Sequence, residues 1–184
     1  MQSCSGIAAL PSLGVVLVAD YDARQLLAHR LSDGFRVASL QMVVRAEFLA
    51  ADDASGALFG SVAQESGREA VHRWQCANVG AGIVISSGVP VAAAGTNAGL
   101  RMLAVMPPAP GKRAAHLVVG TCESSELLVL SLPGLALVHT HNLEGMKVDG
   151  LAADPWGGAI AVCDAVSDAI HVLAWPLPGM PLLD

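Results

Sequence analysis

Two histidines stand two residues apart in LALVHTHNL, residues 135–143. Side chains on a β-strand alternate between its faces, so this spacing puts the imidazoles of His139 and His141 on one side. Two neutral rings there could begin a divalent metal site, but such a site takes three or four protein ligands, and the sequence nominates no third. A second chemistry belongs to carboxylates. Asp20 closes VVLVAD and Asp164 closes AIAVCD. At equivalent strand ends they could form part of a ring of carboxylates that holds calcium. An aspartate in that place also accepts hydrogen bonds from the N–H groups of the turn that follows it. Val62, Thr96 and Thr121 occupy the same place in other copies of the pattern, and threonine can make such a bond without charge, so the local role is the one expected. A third chemistry is recognition. Trp156 lies in DPWGG, and a solvent-facing tryptophan on a turn is a residue type enriched at protein contacts. Trp74 and Trp175 fall at the ends of apolar strands and are expected in the core.

Around these candidates the chain lacks the local signatures of common enzymes. It has no nucleophile elbow, phosphate-binding P-loop, dinucleotide fingerprint or HExxH zinc motif. The glycine-rich GAGIVISSG reads as a strand between turns, and no cofactor is expected. The 184 residues carry 10 Lys and Arg against 16 Asp and Glu, a net charge of −6. The basic residues are scattered, which argues against nucleic acid, whose phosphates need clustered cations. The four cysteines, Cys4, Cys76, Cys122 and Cys163, have no CxxC or zinc spacing, which suits free thiols in a reducing, cytoplasmic setting. No charged residue occurs between Arg73 and Arg101. That stretch is long enough to cross a bilayer, but Pro90, its glycines and its polar Ser86, Ser87, Thr96 and Asn97 argue for strands and turns, so no membrane association is expected.

The elements that must position these residues come from a repeat. GIAALPSLGVVLVAD at 6–20 and GLAADPWGGAIAVCD at 150–164 align without a gap, 144 residues apart. Gly6 meets Gly150, Pro11 meets Pro155, Gly14 meets Gly158 and Asp20 meets Asp164. Weaker copies lie at 49–62, 82–96 and 116–132. Each reads as short apolar strands of five to seven residues separated by Gly, Pro or polar turns, the pattern of an antiparallel meander. The anchors 20, 62, 96, 121 and 164 delimit five units, about 6–42, 43–78, 79–108, 114–146 and 147–178, within one domain or domain fragment over 1–184. Two of the spacings match a four-stranded propeller blade, while PPAPGKR at 107–113 marks a shortened middle. The third unit is expected to lack a fourth strand, and the fourth unit a first.

VLVADYDARQLLAHRLSDG and GLAADPWGGAIAVCDAVSDAIHVLAW resemble NHL repeats. The resemblance implies an all-β, β-propeller-like array of four-stranded antiparallel blades, incomplete or part of a six-bladed ring. It also implies a non-catalytic protein-interaction or scaffold module that takes a protein or peptide partner. An open array would leave blade edges free for self-association. The alternative is a calcium-dependent propeller hydrolase or lyase. Such enzymes line their channel with Glu, Asn and Asp, and Asn78, Asn97 and Asn142 fall at no matching blade positions.

Overall fold

The computed structural model describes residues 3–63, 69–80, 82–91, 99–108, 112, 114–121 and 123–181. Apart from one 3-10 turn at Pro11–Leu13, every regular element among them is a β-strand. The chain divides into two compact units, 1–92 and 93–184.

Unit 1 opens with β1 (Cys4–Leu10), β2 (Val15–Asp20), β3 (Gln25–Arg30) and β4 (Arg36–Gln41), which pair in sequence order as an antiparallel sheet. Apolar residues at alternate positions, Val15, Leu17 and Ala19 on β2 and Leu26 and Ala28 on β3, are buried. A second sheet follows, built from β5 (Arg45–Asp52), β6 (Ala57–Ala63), the eleven-residue β7 (Glu69–Val79) and β8 (Gly82–Ile85). β9 (Val89–Val91) also pairs with β7, farther along that long strand. The buried side of β2 and β3 packs with Leu49, Leu58, Val62 and Trp74 of the second sheet in one core cluster. Burial of two sheet faces against each other is the dominant stabilisation available to such thin layers.

Unit 2 contains β10 (Leu100–Met106), β11 (His116–Thr121), β12 (Glu126–Ser131) and β13 (Leu137–Asn142) as a third meander. β14 (Val148–Ala153), β15 (Ala159–Asp164) and β16 (Ala169–Ala174) form the fourth, with three strands among the described residues.

The two stretches that open the repeat have matching surroundings. Tyr21 N donates to Ser3 O at 3.0 Å, and 144 residues on Ala165 N donates to Lys147 O at 2.9 Å. Leu31 N donates to Gly14 O at 2.9 Å, and Trp175 N to Gly158 O at 3.0 Å. The first strand carries a bulge at the same place, between Cys4 and Gly6 in one sheet and between Val148 and Gly150 in the other. Such a bulge sharpens the local twist. The turns after Asp20, Thr121 and Asp164 each end on a left-handed residue, Arg24, Ser125 and Asp168, with φ of 53°, 53° and 52°.

Among the described residues, the expected third unit, 79–108, forms no sheet of its own. β8 and β9 complete the second sheet on β7, and β10 is the first strand of the third, where Leu103 faces Val119. The strand assigned to the third unit is thus the one the fourth unit lacked. Of PPAPGKR, Pro107 and Pro108 follow β10, and 109–111 and 113 lie outside the described residues. The described residues form four sheets. The anchor Thr96, with Asn97 and Cys122, lies outside the described residues.

Candidate functional site

The anchor aspartates serve their own turns. Asp20 Oδ1 accepts from Ala23 N at 2.9 Å. Asp164 Oδ1 accepts from Lys147 N at 2.9 Å and Val166 N at 3.0 Å, and its Oδ2 accepts from the Ser167 amide and hydroxyl. Thr121 takes the same part without charge, its hydroxyl oxygen accepting from Glu126 N at 3.0 Å. The Ser167 hydroxyl and then the surrounding amides hold the Asp164 carboxyl down at about 2, because each donor favours the ionised form. An unfolded aspartate titrates near 3.9. The folded group therefore adds stability that is fully present above about pH 4 and is lost as pH falls through 2. We expect the Asp164 side-chain carbon resonance to titrate with a midpoint near 2 in the folded protein; a midpoint near 4 would mean that these donors do not hold it.

His139 and His141 share one side of β13, as the alternation of a strand requires. Their ring centroids are 6.2 Å apart and tilted by 33°. Burial, and then the neighbouring His139, push the His141 pKa down. No group of three or more His, Cys, Asp or Glu placed to hold a metal ion occurs among the described residues.

Trp156 is where the sequence places it, on the turn between β14 and β15, with 81% of its surface exposed. The turn beneath it is firmly built. Asp154 Oδ1 accepts from Trp156 N at 3.1 Å and Oδ2 from Gly158 N at 3.0 Å, while Gly157 N donates to Asp154 O at 2.9 Å. Gly157 adopts φ +74°, and a Cβ there would lie 3.3 Å from the carbonyl oxygens of Pro107 and Pro108. Only a glycine meets both conditions without strain. Trp74 and Trp175 are buried, as expected, Trp74 with 2% exposed. Trp74 lies within β7 rather than at its end.

Three features had no local signal. In unit 1 a groove of about 430 Å³ is lined by Leu13, Val15, Arg30, Leu31, Asn78 and Ile83 among others. Its residues come from turns and strands of both sheets, so no contiguous motif writes it. Leu31, Phe35 and Val79, exposed large apolar side chains, belong to the same turns and strand end. Arg30, in the groove wall, pairs with Asp33 at 2.7 Å. The buried His116 has no hydrogen-bond partner on either ring nitrogen and meets Trp175 edge-on at 5.7 Å. Burial lowers its pKa and that of His72, which keeps both neutral near pH 7. Among the described cysteines all three are free. Cys4 and Cys163 are exposed, and Cys76 is buried, its thiol pushed up to about 11. No helix among the described residues is long and apolar enough to cross a membrane.

No family profile and no curated protein matches the sequence. Solved structures do match its fold. The Cps50 (Swd1) β-propeller domain of Myceliophteria thermophila superposes with a TM-score of 0.66 at 12% identity, over 93% of this chain and 53% of that one. The dihydro-heme d1 dehydrogenase NirN, solved in complex with DHE, superposes with a TM-score of 0.64 at 14% identity, over 100% of this chain and 37% of that one. The fold is a β-propeller fold, and the chain spans about half the length of the first of these structures. At such identities the likeness carries the fold alone.

Proposed function

We propose that the protein is a recognition module of propeller type that binds a protein or peptide segment through its exposed turns. The NHL repeat family is the proposed affiliation, resting on the strand–turn pattern of the first and last units. The observation that carries the functional reading is Trp156, a largely exposed indole on a turn pinned by backbone N–H groups donating to the Asp154 carboxylate. A large aromatic surface held rigid loses little entropy on binding, and this is why tryptophan dominates interface energetics. The groove beside Leu31 in unit 1 supplies a second recessed apolar surface.

A displayed peptide library panned against the protein tests this. Enriched peptides should shift the emission of the exposed indole, and Trp156→Ala should weaken their binding by about thirtyfold, the effect of losing a hot-spot residue worth about 2 kcal/mol. The same substitution should change stability by less than about 0.5 kcal/mol, as expected for a surface residue. Failure to enrich any peptide, or equal binding by Trp156→Ala, would overturn the reading.

The competing reading is a calcium-dependent hydrolase or lyase. Calcium that moved the Asp164 carboxyl resonance at neutral pH would favour it, since the N–H donors now facing those oxygens would have to yield to the ion. Under the recognition reading the protein works without a metal or cofactor, in the cytoplasm, and without nucleic acid.

A further inference from the structure

We propose that His116 is an acid-sensitive latch on residues 175–181, the segment that follows β16: the neutral ring lets this segment close over the third sheet, and the protonated ring opens it. Residues paired across a sheet share a face. His116 pairs with Ser131, Val118 with Val129, and Val129 with His139. His116 and His139 therefore stand on the same face of the third sheet as the buried Val118 and Val129. The segment covers both rings. Trp175 meets His116 edge-on with ring centroids 5.7 Å apart, and a Cβ on Gly179 would lie 3.7 Å from His139 Cε1.

His116 is 6% exposed and neither of its ring nitrogens has a hydrogen-bond partner; His139 Nε2 is buried without one as well. A neutral imidazole carries one N–H, so closure buries an unmade donor on His116 and already costs free energy. Protonation adds a second donor and a positive charge in the same place, and a buried charge without a partner costs far more. The surroundings offer that charge nothing. β10 presents Met102, Ala104 and Met106 on this face. β12 presents Ser131, whose hydroxyl donates to Ala136 O at 3.4 Å. The titratable groups on the facing surfaces, among the described residues, are His139 and His141 of β13 and His171 and Asp164 of the fourth sheet. Asp164 is the one carboxylate of these, and its oxygens are taken up by Lys147 N and the turn after it. Residues 175–181 carry no charged side chain.

The segment is also held in a way that lets it open by itself. Its buried anchors are the side chains of Trp175 and Leu177. Trp175 N donates to Gly158 O at 3.0 Å, and Met180 N donates to Leu177 O at 3.0 Å, within the segment. Pro176, Pro178 and Pro181 have no N–H to give. Among the described residues, no backbone hydrogen bond ties 176–181 to a strand. Segments with few backbone bonds open locally while the strands beneath stay paired. In the open state His116 titrates as an ordinary imidazole, near 6.5, whereas burial lowers its pKa in the closed state. The closed state therefore keeps its full stability above about pH 6.5 and loses it as pH falls, until the ring takes up a proton in the closed state too.

Two measurements on the full chain read the opening: exchange of the Trp175 amide in the unaltered protein, and trapping of the thiol in Leu177→Cys by a thiosulfonate reagent. Each is corrected for the chemical rate of the unfolded chain at the same pH. The opening constant should rise about tenfold between about pH 7.5 and 5.5, the change for one ring with an open-state value near 6.5. Amides of β11 and β12 should keep their protection over that range. His116→Met, an unbranched apolar replacement, should abolish the rise. His116→Gln, which keeps hydrogen-bonding groups but does not titrate, should abolish it too and serves where methionine does not fold. An opening constant that stays flat in the unaltered protein would overturn the proposal. So would a rise that survives in the variants, which would mean that another ring carries it, and so would a parallel loss of protection in β11 and β12, which would mean that the sheet opens and not the segment.

Discussion

Replacing Trp74 with alanine should destabilise the protein by about 3–5 kcal/mol, the cost of emptying a large buried aromatic site. Trp74 is the largest side chain in the core of unit 1, and it sits between two glycines that cannot fill the space it leaves. A Cβ on Gly60 would lie 2.8 Å from its ring carbon Cζ3, and a Cβ on Gly88 would collide with its indole nitrogen. His72 stands 5.8 Å away, centroid to centroid, and is tilted by 33°. Both glycines therefore serve the tryptophan, and the pocket that Trp74→Ala creates is walled by backbone, Gly60 in β6 on one side and Gly88 in the link between β8 and β9 on the other. Limited collapse places the expected cost high in the range for such truncations. Urea unfolding followed by far-ultraviolet dichroism should show a lower midpoint with an unchanged slope. Trp74→Phe should lie between the two, because it keeps part of the ring. A change below about 1 kcal/mol for alanine would mean that the core of unit 1 does not rest on this residue.

The 144-residue repeat was legible because each sheet is closed by local chemistry: a turn glycine, an aspartate or threonine accepting from the next turn, and strands that alternate. Asp20, Thr121 and Asp164 were readable as turn acceptors for that reason. Trp156 was readable because Asp154, Gly157 and Gly158 write a tight turn around it. The membership of strands was not readable between 79 and 115. A proline-rich stretch breaks the chain in the same way whether the next strand joins the same sheet or another, and the partner of β10 is fixed by pairing across the sheet. The groove beside Arg30 and Asn78 has no local signature either, since its walls come from positions far apart in sequence. The burial of His116 could not be read from its neighbours, as a histidine at a strand start looks alike in a core and at a surface.

Equal letters can also carry unequal costs, and Gly6 and Gly150 measure this. They align in the repeat and sit at the same bulge. Gly6→Ala should destabilise by about 1–3 kcal/mol, the range for overpacking, and towards its upper end. Its Cβ would meet backbone atoms, Glu47 O at 2.7 Å and Leu49 N at 3.0 Å, and backbone held in a ladder yields less readily than a side chain. To admit the methyl group, β1 must move away from β5, loosening the core that Leu17 and Leu26 share with Leu58. Gly150→Ala meets only Cys163, whose Sγ would lie 3.1 Å from the new carbon. That thiol is exposed and can turn aside, so the change should stay within about 0.5 kcal/mol in dilute solution. Thermal or urea unfolding of the two variants side by side decides the matter. Equal losses would show that Gly150, too, has a close backbone neighbour in the folded chain.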